Sequence, residues 1–306
     1  MTSLGLRPRR TAAAALTALA VATSLSLVAC APEDDSKDTA GTTSSPSASS
    51  SASESTDACA KDSLPTFADG KLTIATDKPV YEPWFVDDKP ESGEGFEGAV
   101  AKAVATKLGF SEAEVTWVSV TFNNAIAPGP KAFDFDINEF SITEKRKVAV
   151  DFSAPYYDVS QAVVTTKGSK AAGATTVAAL KDLTLGAQVG TTSLQAIADI
   201  IAPTKQPRVY NSNNDVVKAL ENGQIDALVT DLPTAFYMAA AQLDKGQIVG
   251  QLPASSGTPE QFGLVLDKGS AMTTCVSQAV EALRADGTLD QLVDQWLSQG
   301  GAPELS

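Results

Sequence analysis

The stretch Phe133-Asp134-Phe135-Asp136-Ile137-Asn138-Glu139-Phe140-Ser141-Ile142-Thr143-Glu144-Lys145-Arg146 decides how this chain is read. Residues 133–137 alternate apolar and acidic side chains, which predicts a short β-strand. Asn138, Glu139, Ser141 and Arg146 follow at once, so an apolar strand runs straight into a polar cluster. The same arrangement recurs three times: 71–75 leads to Asp77, 184–189 to Gly190-Thr191-Thr192-Ser193, and 225–229 to Asp231. Open α/β sheets bind small molecules beyond the carboxyl ends of their strands. Four such ends predict one polar rim on an otherwise apolar scaffold.

Working outward, two more strands are predicted at 114–118 and 206–210, and helices at 99–108, 192–201, 214–221, 234–242, 272–284 and 288–298. Strand and helix alternate, the rhythm of βαβ units and of an α/β fold with mainly parallel sheets. Val100, Ala103, Val104 and Leu108 share one helical face that stops at Gly109; Val216, Val217 and Leu220 do the same before Gly223. Both read as packing helices.

The N-terminus reads as an address. Arg7, Arg9 and Arg10 precede an apolar run over 11–27, and Leu27-Val28-Ala29-Cys30 closes it with small residues. The run is shorter than the roughly 20 residues that span a bilayer, so residues 1–29 are expected to be a signal peptide. The tetrad resembles the bacterial lipobox, which implies a lipid on Cys30 and membrane attachment through it; a plain secretory signal with an incidental cysteine is the alternative. Residues 30–58 are Ser-, Thr-, Ala-, Asp- and Glu-rich, a composition that cannot bury enough surface to offset chain entropy. They read as a disordered tether or as a merely degenerate leader.

The chain carries a formal charge of −14 and no histidine. Such acidity disfavours a nucleic-acid partner, although it serves solubility equally well. The missing histidine excludes Ser-His-Asp catalysis and the common His-containing zinc sites, and no metal or cofactor is expected. Beyond Cys30 the cysteines are Cys59 and Cys275. In an oxidising compartment these suggest a disulfide tying the two ends of the folded part, with two free thiols as the alternative.

The run Ser141-Ile142-Thr143-Glu144-Lys145-Arg146, with Asp151-Phe152-Ser153-Ala154-Pro155-Tyr156-Tyr157 behind it, resembles the signature of the family 3 periplasmic solute-binding proteins, the polar-amino-acid receptors of ABC importers. Further matches follow in the family's order: Ile74-Ala75-Thr76-Asp77 with Tyr81, Gly95-Phe96-Glu97-Gly98, Val189-Gly190-Thr191-Thr192, Gly223-Gln224-Ile225-Asp226-Ala227 with Asp231, and Arg284-Ala285-Asp286-Gly287-Thr288. The resemblance implies a two-lobed periplasmic-binding-protein fold of type II, each lobe a mainly parallel sheet flanked by helices, with two crossover hinge strands. Lobe one is expected at 59–160 plus 262–306 and lobe two at 161–261. It also implies a monomer, an ABC permease as partner, and hinge closure on the guest.

An α-amino acid presents a carboxylate and an ammonium on one carbon, so its receptor needs a fixed cation and a fixed anion a few ångströms apart. Arg146 suits the carboxylate because its planar fork donates two parallel hydrogen bonds, and the resemblance gives it that role; otherwise it is a surface charge. Gly190, Thr191 and Thr192 offer backbone N–H groups at a helix start, or simply cap that helix. Asp231 resembles the acceptor of the ammonium, with the Ser141 hydroxyl beside it, and a helix-capping aspartate is the alternative. Tyr81 resembles the ring over the guest's side chain; Trp84 and Phe122 either complete that wall or pack in the core. Asp77, Asn138 and Glu139 are expected to read the side chain, with cationic or amide ends favoured.

Three departures from the family surround that side chain: an extra residue between Asp77 and Tyr81, an acidic insertion at 87–93, and Ala127-Pro128-Gly129-Pro130-Lys131 where relatives carry a regular helix. Two other functions stay open. One is a sensory receptor for a membrane kinase or channel; the other is a carboxylate-dependent lyase or dehydratase on the same fold, for which Glu139 is the candidate acid.

Overall fold

A computed structural model describes residues 58–254, 257–297 and 301–306. The expected signal, the Cys30 lipid site and all but the last residue of the 30–58 tether lie outside the described residues. In chain order the elements of the first lobe begin with β1 Leu72–Thr76, α1 Phe96–Lys107, β2 Val115–Ser119, α2 Phe122–Ala125, β3 Phe135–Asp136, α3 Glu144–Lys147 and β4 Val150–Phe152. Then come β5 Tyr157–Val159, β6 Gln161–Thr166, β7 Leu185–Gln188, α4 Thr192–Ala196, β8 Arg208–Tyr210, α5 Asn213–Glu221, β9 Ala227–Asp231, α6 Leu232–Tyr237 and β10 Gly246–Gln251. The chain ends with β11 Glu260–Phe262, β12 Val265–Asp267, α7 Thr273–Ala285 and α8 Thr288–Trp296.

Two five-stranded sheets result, ordered β2-β1-β3-β12-β4 and β10-β6-β9-β7-β8. In each, one strand opposes the rest: β12 pairs antiparallel with β3 and β4, and β6 with β9 and β10. The reversal follows from connectivity. The chain passes between lobes on the cleft side, where the parallel strands end, so the first strand after each crossing must run back against them. The crossings themselves, β5 and β11, pair antiparallel in a two-stranded ribbon that matches Val159 with Glu260 and Tyr157 with Phe262. This is the two-lobed α/β architecture with two hinge strands that the motifs implied.

Two helices expected to be continuous change pitch. The 192–201 segment is α-helical to Ala196 and then a π turn over Ile197–Ile201; the 234–242 segment changes at Met238 in the same way. Apolar periodicity does not distinguish the two windings over a single turn.

Lobe one packs β1 and β3 against α1 and α7 around Trp84, Phe96, Phe135 and Phe262, all essentially inaccessible. Gly95 starts α1 with φ 89°, and a Cβ there would stand 2.5 Å from the Trp84 carbonyl, so the helix start and the Trp84 segment approach as only glycine allows. Lobe two buries both faces of its sheet, one cluster around Val163, Leu185 and Ile197, the other around Val164, Val216 and Leu228. A disulfide joins Cys59 to Cys275 on α7, across a sequence separation of 216 residues.

The expected extent of lobe one needs a correction at its end. Residues 301–306 lie on lobe two: Leu305 is buried in the Val163 cluster, and its N–H and the Pro303 carbonyl bond both sides of Gln251. Gly250 makes room for this, since a Cβ there would stand 2.6 Å from the Pro303 oxygen. No periodicity in the six residues Gly301-Ala302-Pro303-Glu304-Leu305-Ser306 announces such docking, and Leu305 is the one that enters the buried cluster.

Candidate functional site

The polar strand ends of both lobes meet around one cavity of about 280 Å³. From lobe one Asp77, Tyr81, Phe122, Asn138, Glu139 and Arg146 line it; from lobe two Thr191, Thr192 and Asp231 do. Nine of the twelve residues singled out from the sequence thus share one wall, and the other three stand behind it.

Arg146 sits in α3, whose N-terminus is capped by Thr143 Oγ1 accepting from the Arg146 N–H at 3.1 Å. The residue is 8% exposed, so it is no surface charge. Nη1 donates to the Ser141 carbonyl at 2.7 Å and Nη2 to the Gly190 carbonyl of the other lobe at 3.0 Å, with Cζ 5.3 Å from the Phe122 ring centre. Burial lowers its pKa to about 10, with Asp231 and Glu260 opposing the shift. It remains a cation at neutral pH.

Gly190 contributes its backbone from behind the wall. It has φ 78°, and a Cβ would lie 2.4 Å from Asn123 Oδ1. Thr191 is the cap of α4: its Oγ1 accepts from Leu194 N and donates to the Gln188 carbonyl. That leaves Thr192 free of capping, with Oγ1 3.0 Å from Ser141 Oγ across the cleft. Ser141 is buried and also bonds Glu260 on the hinge strand at 3.0 Å.

Asp231 occupies the residue before α6, yet its side chain makes no cap bond. Instead Oδ1 accepts from Gln161 Nε2 at 2.7 Å. Burial, then the nearby Glu260, raises its pKa to about 7, against the lowering effect of Gln161 and Arg146. Burial thus outweighs the stabilisation that Arg146 gives this carboxylate's charge.

At the other end, Asp77 accepts from the N–H groups of Lys78 and Phe122 at 2.7 and 3.0 Å. Tyr81 meets Asn214 of lobe two through its hydroxyl. Phe122 both lines the cavity and stacks on Phe140 at 4.8 Å, so wall and core readings hold together. Glu139 bonds Thr234 of lobe two, Oγ1 to Oε2 at 3.1 Å, and burial together with Glu97 and Asp231 holds its carboxyl well above the usual range.

Trp84 is the correction. It is 1% exposed, packs edge-on against Phe96, Tyr157 and Phe262, and donates Nε1–H to Thr234 Oγ1 at 2.8 Å. Phe85 takes the wall position in its place. Phe85 is itself 1% exposed and packs edge-on against Trp117, so it meets the cavity from within the same core.

Sequence reasoning missed Gln161 and Glu260, which the hinge brings beside Asp231, and the Asn211-Ser212-Asn213 run on the cavity wall. The latter follows β8 as the other polar clusters follow their strands, so the rule that found those extends to it. Among the described residues no group of three or more Cys, Asp and Glu side chains is arranged to hold a metal ion, and no helix is long and apolar enough to cross a membrane.

This geometry has known counterparts. The ABC transporter glutamine-binding protein GlnH of Bacillus subtilis is 30% identical over 222 residues, covering 70% of this chain and 77% of that one. Among solved structures, an ancestral arginine-binding protein bound to arginine superposes with a TM-score of 0.61 at 29% identity, covering 75% of this chain and 99% of its own. The ancestral amino acid-binding protein AncCDT-1, described as a precursor of cyclohexadienyl dehydratase, gives 0.61 at 31% identity and covers 75% and 96%. Residues 72–299 match the model of the bacterial extracellular solute-binding proteins, family 3, and the chain belongs to that family.

Proposed function

We infer that the chain is the extracytoplasmic substrate-binding component of an ABC importer and that it takes up a polar or basic α-amino acid by closure of its two lobes. One observation carries the reading: a buried guanidinium of lobe one, Arg146, and a carboxyl of lobe two, Asp231, line the same small cavity. Arg146 receives the guest's carboxylate, with Thr192 beside it, and Asp231 receives the ammonium, with Ser141 close by. A zwitterion that touches both lobes binds the closed state better than the open one, which is the differential contact that drives closure. Glutamine and arginine, bound by the relatives described above, are the first guests to try.

Cys30, at the end of the Leu27-Val28-Ala29-Cys30 run, carries the lipid in this reading, and residues 31–57 tether the lobes to the outer face of the membrane. A second reading, catalysis by a cleft acid, draws support from Asp231 and Glu139, both held toward the protonated form. A thermal-shift screen of the common amino acids on the mature chain tests the primary reading. A rise in melting temperature with one or a few of them, and their recovery unchanged after incubation, is the expected result. No shift with any amino acid contradicts binding, and conversion of the guest favours the enzyme.

A further inference from the structure

The inference rests on the amino-acid-binding reading above and concerns the end of the cavity that meets the guest's side chain. The cavity is unevenly charged. Asp77, Glu139 and Asp231 line it against two cations, Arg146 and Lys78. Lys78 is exposed, with its Nζ 3.8 Å from Asp88. The zwitterion takes Arg146 and Asp231, so two acids remain for whatever the side chain brings.

Those two acids differ. Asp77 already accepts two backbone N–H groups, one on each oxygen. Glu139 accepts a single hydroxyl, from Thr234, and that hydroxyl is itself an acceptor from Trp84 Nε1. The Glu139 backbone lies at φ 52°, left-handed, where a residue with a side chain is disfavoured. Its N–H is fixed at 2.7 Å on Glu97 Oε1. A strained backbone pinned in place, holding a half-satisfied acid on the cavity wall, is a device for presenting negative charge.

We propose that Glu139 is the specificity-determining acid of the cleft, that the guest's side chain ends in a guanidinium or ammonium group, and that the Glu139 carboxylate receives it. The groups facing Glu139 are Glu97 from α1, Asp77 beyond β1, Tyr156 before β5 and Asp231 at the end of β9, and none of them is a cation. Burial and these neighbouring acids disfavour the ionised form of Glu139, and a cation beside it favours that form. A cationic guest binds its ionised form, so the carboxyl proton leaves to solvent and binding weakens as pH falls.

Calorimetric titration of the mature protein with arginine, with citrulline, which has nearly the same shape but is neutral, and with glutamine tests this. The wild type is expected to bind arginine about tenfold or more tighter than citrulline, and Glu139→Gln to bring the two within roughly threefold. Glu139→Gly, which also relieves the left-handed backbone, should collapse the ratio in the same way. A wild type that binds citrulline as tightly as arginine, or variants that keep the arginine preference, overturns the assignment of Glu139 alone. Binding of none of the three to wild type overturns the cationic guest, and the absence of a thermal shift with every common amino acid overturns the amino-acid reading as well.

Discussion

The two ends of the cleft are built by opposite rules. At the end assigned to the guest's backbone, the groups are held by the protein itself. Arg146 is fixed by two carbonyls, one from each lobe, Asp231 by Gln161, and Ser141 by Thr192 and Glu260. At the side-chain end Asp77 accepts two backbone N–H groups, whereas the Glu139 carboxyl accepts only the Thr234 hydroxyl. Preorganised groups bind what every amino acid shares; incompletely satisfied ones wait for what distinguishes one from another.

If that division is right, the largest effect comes from the preorganised end. Arg146→Ala is expected to weaken binding of any amino acid by roughly a hundredfold or more, since truncating a buried hydrogen-bonded charge costs about 2–5 kcal/mol. Calorimetry measures it, and unchanged affinity would remove Arg146 from the carboxylate role. Next, Asp231→Asn should weaken binding by roughly tenfold to a hundredfold. Thr192→Ala, losing one neutral hydrogen bond, should cost tenfold at most, about 0.5–1.5 kcal/mol. If Asp77→Asn alters affinity for all amino acids as strongly as Arg146→Ala does, the division between ends fails.

The pH dependence sharpens the comparison further. The Asp231 pKa is raised in the folded chain, to about 7, and so is that of Glu97, through burial first. Between the ordinary carboxylate range and that value the folded state holds protons the unfolded state has lost. Stability of the ligand-free protein therefore falls as pH rises toward 7 and levels off above it. Ammonium binding needs ionised Asp231, so ligand-induced gains in melting temperature should grow over the same interval. Melting curves with and without ligand check both signs; a ligand-induced gain that shrinks as pH rises contradicts the role given to Asp231.

How much of this was legible follows the same divide. Arg146, Thr192 and Asp231 stand at strand ends within spaced motifs, and local pattern suffices to find them. Gln161 and Glu260 reach Asp231 because the chain crosses twice at the hinge, a tertiary fact with no local signature. Trp84 and Phe85 are neighbours of similar character and both are buried in the core of lobe one, yet only Phe85 also lines the cavity. The aspartates of β3 make the point most sharply. Asp134 accepts from the N–H groups of Phe67 and Thr73, whereas two residues on both Asp136 oxygens are buried with no partner among the protein's side chains or backbone. The sequence presents them identically. Asp136→Val is accordingly expected to leave stability unchanged or to raise it, while Asp134→Val lowers the melting temperature by stranding two N–H donors.

The account stands on Arg146 of one lobe gripping the carboxylate of a guest whose ammonium rests on the other. The direct measurement is calorimetric titration of wild type and Arg146→Ala with the amino acid that the screen returns and with its α-carboxamide. Wild type should prefer the acid by about a hundredfold, and the variant should bind acid and amide with nearly equal weakness. A variant that still favours the acid by the wild-type factor would place the carboxylate elsewhere and contradict the account.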